Sequence, residues 1–198
     1  TVTVTFSEDV YNTNGGTGEL EVGDFTLSIS GGVATIGSAT PTSITKTAQS
    51  IWVLGLNILG MANGSEVLTL APIVNSVYDA AGNVVAEANS TTNLTEKVVP
   101  TLSGVSLASS NATATEGFAG DVVTLTFTAS ETITTPDVTF KSGGADITDT
   151  LITYANASGN IWTAAYTVNA NDTQGAVSYS IGFNDSVGNA GTAVTSGT

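Results

Sequence analysis

Histidine, cysteine and arginine are absent from this chain of 198 residues, and proline occurs only 4 times. Without histidine or cysteine there is no Ser-His-Asp or Cys-His arrangement and no imidazole or thiolate zinc site. A disulfide framework is excluded as well. With no arginine, Lys46, Lys97 and Lys141 carry all the side-chain positive charge against 17 acidic residues, for a net charge of -14. No surface is basic enough to hold phosphates, so nucleic acid is not an expected partner. An acidic chain attracts cations instead, and calcium is the first to consider. No apolar run approaches the ~20 residues of a membrane span, so no membrane insertion is expected, and no charged n-region with an apolar segment opens the chain. The first residue is Thr1 rather than Met, which suits a processed protein or an excised fragment. No stretch reads as a helix, and no glycine-rich turn leads from a strand into one, so a phosphate cradle is not expected either.

What is present favours strands. Hydrophobic residues make up 41% and charged residues 10% of the chain, with abundant Thr, Ser, Gly and Val, in short alternating runs separated by turn residues. The chain also repeats itself. "YDAAGN" at 78–83 is echoed by "NDSVGN" at 184–189, and "VTVTFSEDV" at 2–10 by "VTLTFTASETI" at 123–133. The echo predicts two all-β domains, 1–98 and 99–198, with the boundary at the proline-bearing "TEKVVPTLSGV". Strands are expected near 1–7, 25–30, 33–36, 50–58, 66–77 and 84–88 in the first. In the second they are expected near 102–107, 122–129, 137–141, 161–168, 177–183 and 190–194. Alternation places Trp162, Ala164, Tyr166 and Val168 on one face, repeated by Trp52, Leu54, Leu56 and Ile58, and puts Val177, Tyr179, Ile181 and Phe183 inward. The two tryptophans read as core residues, or alternatively as sugar-stacking platforms. A strand stands before "VTLTFTASE" that has no partner before "VTVTFSE", so the first domain is expected to lack its opening strand. Either the segment belongs to something longer or a neighbouring molecule fills the uncovered edge.

These features together, a strand ending in Phe-Ser-Glu or its variant, a strand bearing Trp, the D-x-x-G-N sequence and a linker with proline, resemble the tandem bacterial immunoglobulin-like repeats of large secreted surface proteins and adhesins. The resemblance covers the whole chain and implies antiparallel immunoglobulin-like β-sandwiches. It also implies acidic residues near the repeat junctions that bind calcium and stiffen the array. In such a sandwich the loop after the second strand, the loop between the last two strands and the N-terminal linker share one end. That would gather Glu131, Asp185, Asn189 and Glu96 in the second domain, and Glu8, Asp9, Asp79 and Asn83 in the first, with the hard oxygen ligands that Ca²⁺ takes. A turn without metal explains D-x-x-G-N equally, because Asp opens turns and Gly and Asn tolerate positive φ. Lys97 would put a cation beside the proposed second site.

Paired carboxylates can support glycoside hydrolysis, but these acids recur at matching places in both halves, so the chain is not expected to be an enzyme. The expectation is a structural or adhesive module of an extracellular, secreted or cell-surface protein or filament. Its partners would be neighbouring repeats or subunits of the same protein, with a homopolymer possible through the open sheet edge. An alternative is a carbohydrate- or ice-binding surface built on the threonine rows Thr1, Thr3, Thr5 and Thr124, Thr126, Thr128. Seven glycosylation sequons occur, at Asn63, Asn89, Asn93, Asn111, Asn156, Asn171 and Asn184. A bacterial source would usually leave them bare.

Overall fold

A computed structural model describes residues 1–86 and 89–196, and the chain divides into two compact units, Thr1–Val98 and Val99–Thr198. The architecture is all-β. The first unit contains β1 (Val2–Thr5), β2 (Val10–Tyr11), β3 (Phe25–Ser30), β4 (Thr35–Ile36), β5 (Ile44–Ala48), β6 (Ile51–Leu54), β7 (Ile58–Leu59), β8 (Val67–Pro72), β9 (Tyr78–Asp79) and β10 (Ser90–Asn93). The second contains β11 (Leu102–Ser109), β12 (Val122–Ala129), β13 (Asp137–Ser142), β14 (Ala145–Asp146), β15 (Thr153–Ser158), β16 (Ile161–Thr167), β17 (Val177–Gly182) and β18 (Val194–Thr195). Among the described residues the one helical element is the 3-10 turn Val22–Asp24, and no helix is long and apolar enough to cross a membrane.

In the first unit the antiparallel sheets β1-β6-β5 and β10-β8-β3 enclose one core, with the ribbons β2-β9 and β4-β7 beside them. Trp52 and Leu54 of β6 meet Phe25, Leu27, Leu68 and Leu70 of the facing sheet, and Val10, Leu20 and Val77 complete the cluster. Each such side chain gains roughly 1.5–3 kcal/mol by leaving water. Trp52 is only 2% exposed, and its indole N–H donates to the Gln49 carbonyl at 3.0 Å. It is therefore a core residue and offers no stacking platform.

In the second unit the sheets are β11-β12-β16-β15 and β14-β13-β17-β18. Strand β12 shows why period 2 makes a strand here: Val123, Leu125, Phe127 and Ala129 are buried while the threonines between them stay half-exposed. They pack with Val138, Phe140, Ala164, Tyr166, Ile181 and Phe183. The rings of Phe140 and Tyr166 lie 4.8 Å apart in a tilted pair, a favoured aromatic geometry. Trp162 is partly buried against this core.

The two units share their wiring. β5 carries a register shift in its pairing with β6, between Lys46 and Ala48, and β15 carries the same shift with β16, between Asn156 and Ser158. Phe6 N–H donates to the Ser50 carbonyl at 2.9 Å, and Ala129 N–H to the Asn160 carbonyl at 2.9 Å. Phe6 thus occupies the position of Ala129, and Ser7-Glu8 that of Ser130-Glu131.

Several strand expectations change in detail. The run 50–58 breaks after Leu54: Gly55 N–H still bonds the Ser43 carbonyl at 2.8 Å, but Ile58 joins the separate ribbon with β4. The run 66–77 ends at Pro72, where the ring removes a ladder donor. In 84–88, Val84 makes an isolated bridge to Tyr78, while Glu87 and Ala88 lie outside the described residues. Strands β5 and β15 carry no alternation signal, since they are sheet edges on which Ile44 and Tyr154 alone are half-buried.

Candidate functional site: twin acidic loops and a buried glutamate

The D-x-x-G-N sequences form the same closed loop in both units. Asp79 N–H donates to the Asn83 carbonyl at 2.9 Å, and Gly82 N–H to the Asp79 carbonyl at 3.1 Å. The Asn83 backbone N–H then donates to Asp79 Oδ1 at 2.8 Å, and Asn83 Nδ2 donates to Oδ2 at 2.7 Å. In the second unit Asn189 N–H and Nδ2 donate to Asp185 Oδ1 and Oδ2 at 2.8 and 2.7 Å, and Val187 N–H adds a bond of 2.9 Å to Oδ1. Gly82 and Gly188 sit at φ of 90° and 97°, where a β-carbon is disfavoured. The asparagine of each loop presents its nitrogen to the aspartate. These bonds, led by the Asn83 side chain, hold the Asp79 carboxyl below the usual carboxylate range.

Each loop also meets the segment that follows Ser-Glu. Val10 pairs with Asp79 through β2 and β9, and Ile133 bridges to Asp185 in the same sense. Within each unit the sequence echo therefore marks one place, where the chain leaving the Ser-Glu turn crosses the D-x-x-G-N loop. The loops differ in burial: Asp185 is 2% exposed, whereas Asp79 is half-buried.

Within the second unit a carboxylate oxygen of Glu131 lies within 4.8 Å of one of Asp185. Glu96 accepts the Val98 N–H. Asn189 belongs to the loop that positions Asp185. In the first unit Glu8 and Asp9 are exposed. Among the described residues, Glu8, Asp9 and Asp79 form no group of three acids with oxygens within 4.8 Å of one another.

Glu66 is the acidic residue that sequence reasoning missed, having been read as the first residue of a strand. Solvent does not reach it. Its Oε1 accepts Val33 N–H at 2.7 Å and Ala34 N–H at 2.9 Å, and its Oε2 accepts Asn63 N–H at 3.0 Å and Gly64 N–H at 3.1 Å. One carboxylate thus ties the turn after β3 to the turn before β8. The Ala34 N–H is the largest influence on its acidity, burial opposes it, and the Val33 and Asn63 donors bring the pKa down to about 2. Gly32, at φ of 61°, makes room for it: a β-carbon there would lie 2.1 Å from Oε1. The available signal was the second echo "ISGGV" at 29–33 and "KSGGA" at 141–145. In the second unit the same turn is held without an acid, by Gly143 N–H on the Ala176 carbonyl at 3.1 Å and by the Ser142 hydroxyl on the Thr173 carbonyl at 2.7 Å.

Other acids do similar work. Asp121 accepts from Phe118 N–H and Asn111 Nδ2, Asp149 from Thr167 and Leu151 N–H, and Asp172 from Asn169 and Thr148 N–H. All three carboxyls are held below their ordinary range. Comparison of the chain with family models, with curated proteins and with solved structures finds no match.

Proposed function

We propose that the chain is a non-enzymatic structural module, two tandem immunoglobulin-like repeats of an extracellular surface protein or fibre, of the kind bacterial adhesins resemble. One observation carries this reading: the carboxylates sit at loop closures, at matching places in both units, with backbone N–H groups as their partners. Acids committed to loop geometry serve shape and stiffness. Catalytic carboxylates would stand in a cleft with one of the pair free to take a proton. The chain's work is then done by its length, its rigidity and its sheet edges, through neighbouring repeats or subunits.

Calcium belongs to the same reading. Glu131 and Asp185 of the second unit offer oxygen ligands of the hard type that Ca²⁺ takes, with backbone carbonyls and water completing the shell. Melting the protein with Ca²⁺ and with a chelator tests this, since an ion bound only by the folded state stabilises it by mass action. The expected result is a rise of several degrees that Glu131→Gln abolishes. Identical curves at millimolar ion would remove calcium from the proposal, and electron microscopy of secreted material would show a repeating rise if the module builds a fibre.

A carbohydrate-binding module is the second reading, favoured by a cavity of about 650 Å³ in the second unit lined by Phe118, Tyr166, Asp172 and Gln174. Phe118 is 64% exposed there. A glycan array that shows no binding, or binding unchanged in Phe118→Ala, removes it.

A further inference from the structure

Two Asn-Gly pairs occur in the chain, Asn14-Gly15 and Asn63-Gly64, both in the first unit. In such a pair the glycine backbone nitrogen lies one ring closure away from the asparagine carboxamide carbon, and no β-carbon on the second residue stands in the way. What separates the two pairs is how that nitrogen is held. Gly64 N–H donates to Glu66 Oε2 at 3.1 Å, on a carboxylate that solvent does not reach. The Asn63 carboxamide is engaged as well, its Oδ1 accepting Ser65 N–H at 3.1 Å, while Asn63 N–H is bound to Glu66 at 3.0 Å. Attack at Asn63 therefore requires the bonds to Glu66 to open first.

Asn14 and Gly15 stand at the tip of a tight turn closed by Thr13 N–H on the Thr17 carbonyl at 3.2 Å. Both residues are exposed. Among the described residues Gly15 N–H meets no acceptor, and no atom lies within 4 Å of the place a β-carbon would take at Gly15, so nothing crowds a ring closing there. The Asn14 carboxamide rests on the D-x-x-G-N loop of its own unit: a β-carbon on Gly82 would lie 2.2 Å from Asn14 Oδ1.

We propose that Asn14 is a site of spontaneous deamidation and that Asn63 is shielded from the same reaction by Glu66. Gly15 N loses its proton to solvent base and attacks Asn14 Cγ. The new C–N bond forms as the carboxamide nitrogen takes up a proton and leaves as ammonia, which gives a succinimide. Water then adds to either ring carbonyl and leaves aspartate or isoaspartate, so the balance is one water taken up and one ammonia released. The product takes the net charge one unit below -14 and sets a carboxylate against the D-x-x-G-N loop. Neither calcium nor the structural-module reading enters this inference.

The test ages the full chain in mildly alkaline buffer, with and without urea, and follows both Asn-Gly peptides by mass mapping, with isoaspartate separated from aspartate by elution. In the folded chain Asn14 should convert roughly tenfold or more faster than Asn63. In urea the two rates should converge, because neither glycine nitrogen is held there. Comparable rates in the folded chain, or faster conversion at Asn63, overturn the proposal. A difference that persists in urea overturns it too, since local sequence rather than the fold would then set the rates. So does an Asn14 that stays intact in the folded chain while it converts in urea.

Discussion

The two units close the same D-x-x-G-N loop with the same bonds, yet hold the neighbouring S-G-G turn by different means. In the first unit one buried carboxylate, Glu66, gathers four backbone N–H groups from two turns. In the second, a hydroxyl and main-chain bonds hold the equivalent turn. The difference teaches that an acid is needed only where several donors converge out of reach of water. Where the backbone can pair with itself, none is required.

The largest effect should come from breaking that contrast. Glu66→Ala leaves buried donors without an acceptor and should lower the melting temperature of the first unit by roughly 10 °C or more, with amide exchange in the second unit unchanged. Gly32→Ala should act in the same direction, because its β-carbon meets the carboxylate. The same group gives a pH signature. Its folded pKa of about 2 lies below the ordinary 4.5, so the unfolded chain takes up the proton first. The stabilisation is complete above about pH 4.5 and is lost as pH falls toward 2. Glu66→Gln should flatten that part of the stability profile, read from urea midpoints across the acid range.

Next in size are the twin aspartates. Asp185→Ala removes the acceptor of three bonds at a buried site and should cost about 3 kcal/mol in chemical denaturation. Asp79→Ala, at the half-buried counterpart, should cost clearly less; equal losses would mean that burial does not set the difference between the loops. Smaller again, Leu107→Ala in the second unit should cost about 1–2 kcal/mol, measurable as faster exchange along β12.

Much of this was legible in the residues. Alternation in "VTLTFTAS" and "IWTAAYTV" marked β12 and β16, because a strand with one buried face must change polarity at every step. The edge strands β5 and β15 left no trace, since a strand that buries one residue has no pattern to impose. The doubled D-x-x-G-N motif pointed to an architectural turn, but its partner strand and its unequal burial did not show. Glu66 was invisible as a staple, for its donors lie up to 33 residues away.

What the sequence by itself determined is local: period-2 faces, turn residues at positive φ and the doubling of the unit all act over a few bonds. Tertiary structure alone decided which carboxylates are buried and which turns they join. Burial and edge pairing depend on what distant segments bring alongside, and that is set when the sheets pack, not when the residues are strung together.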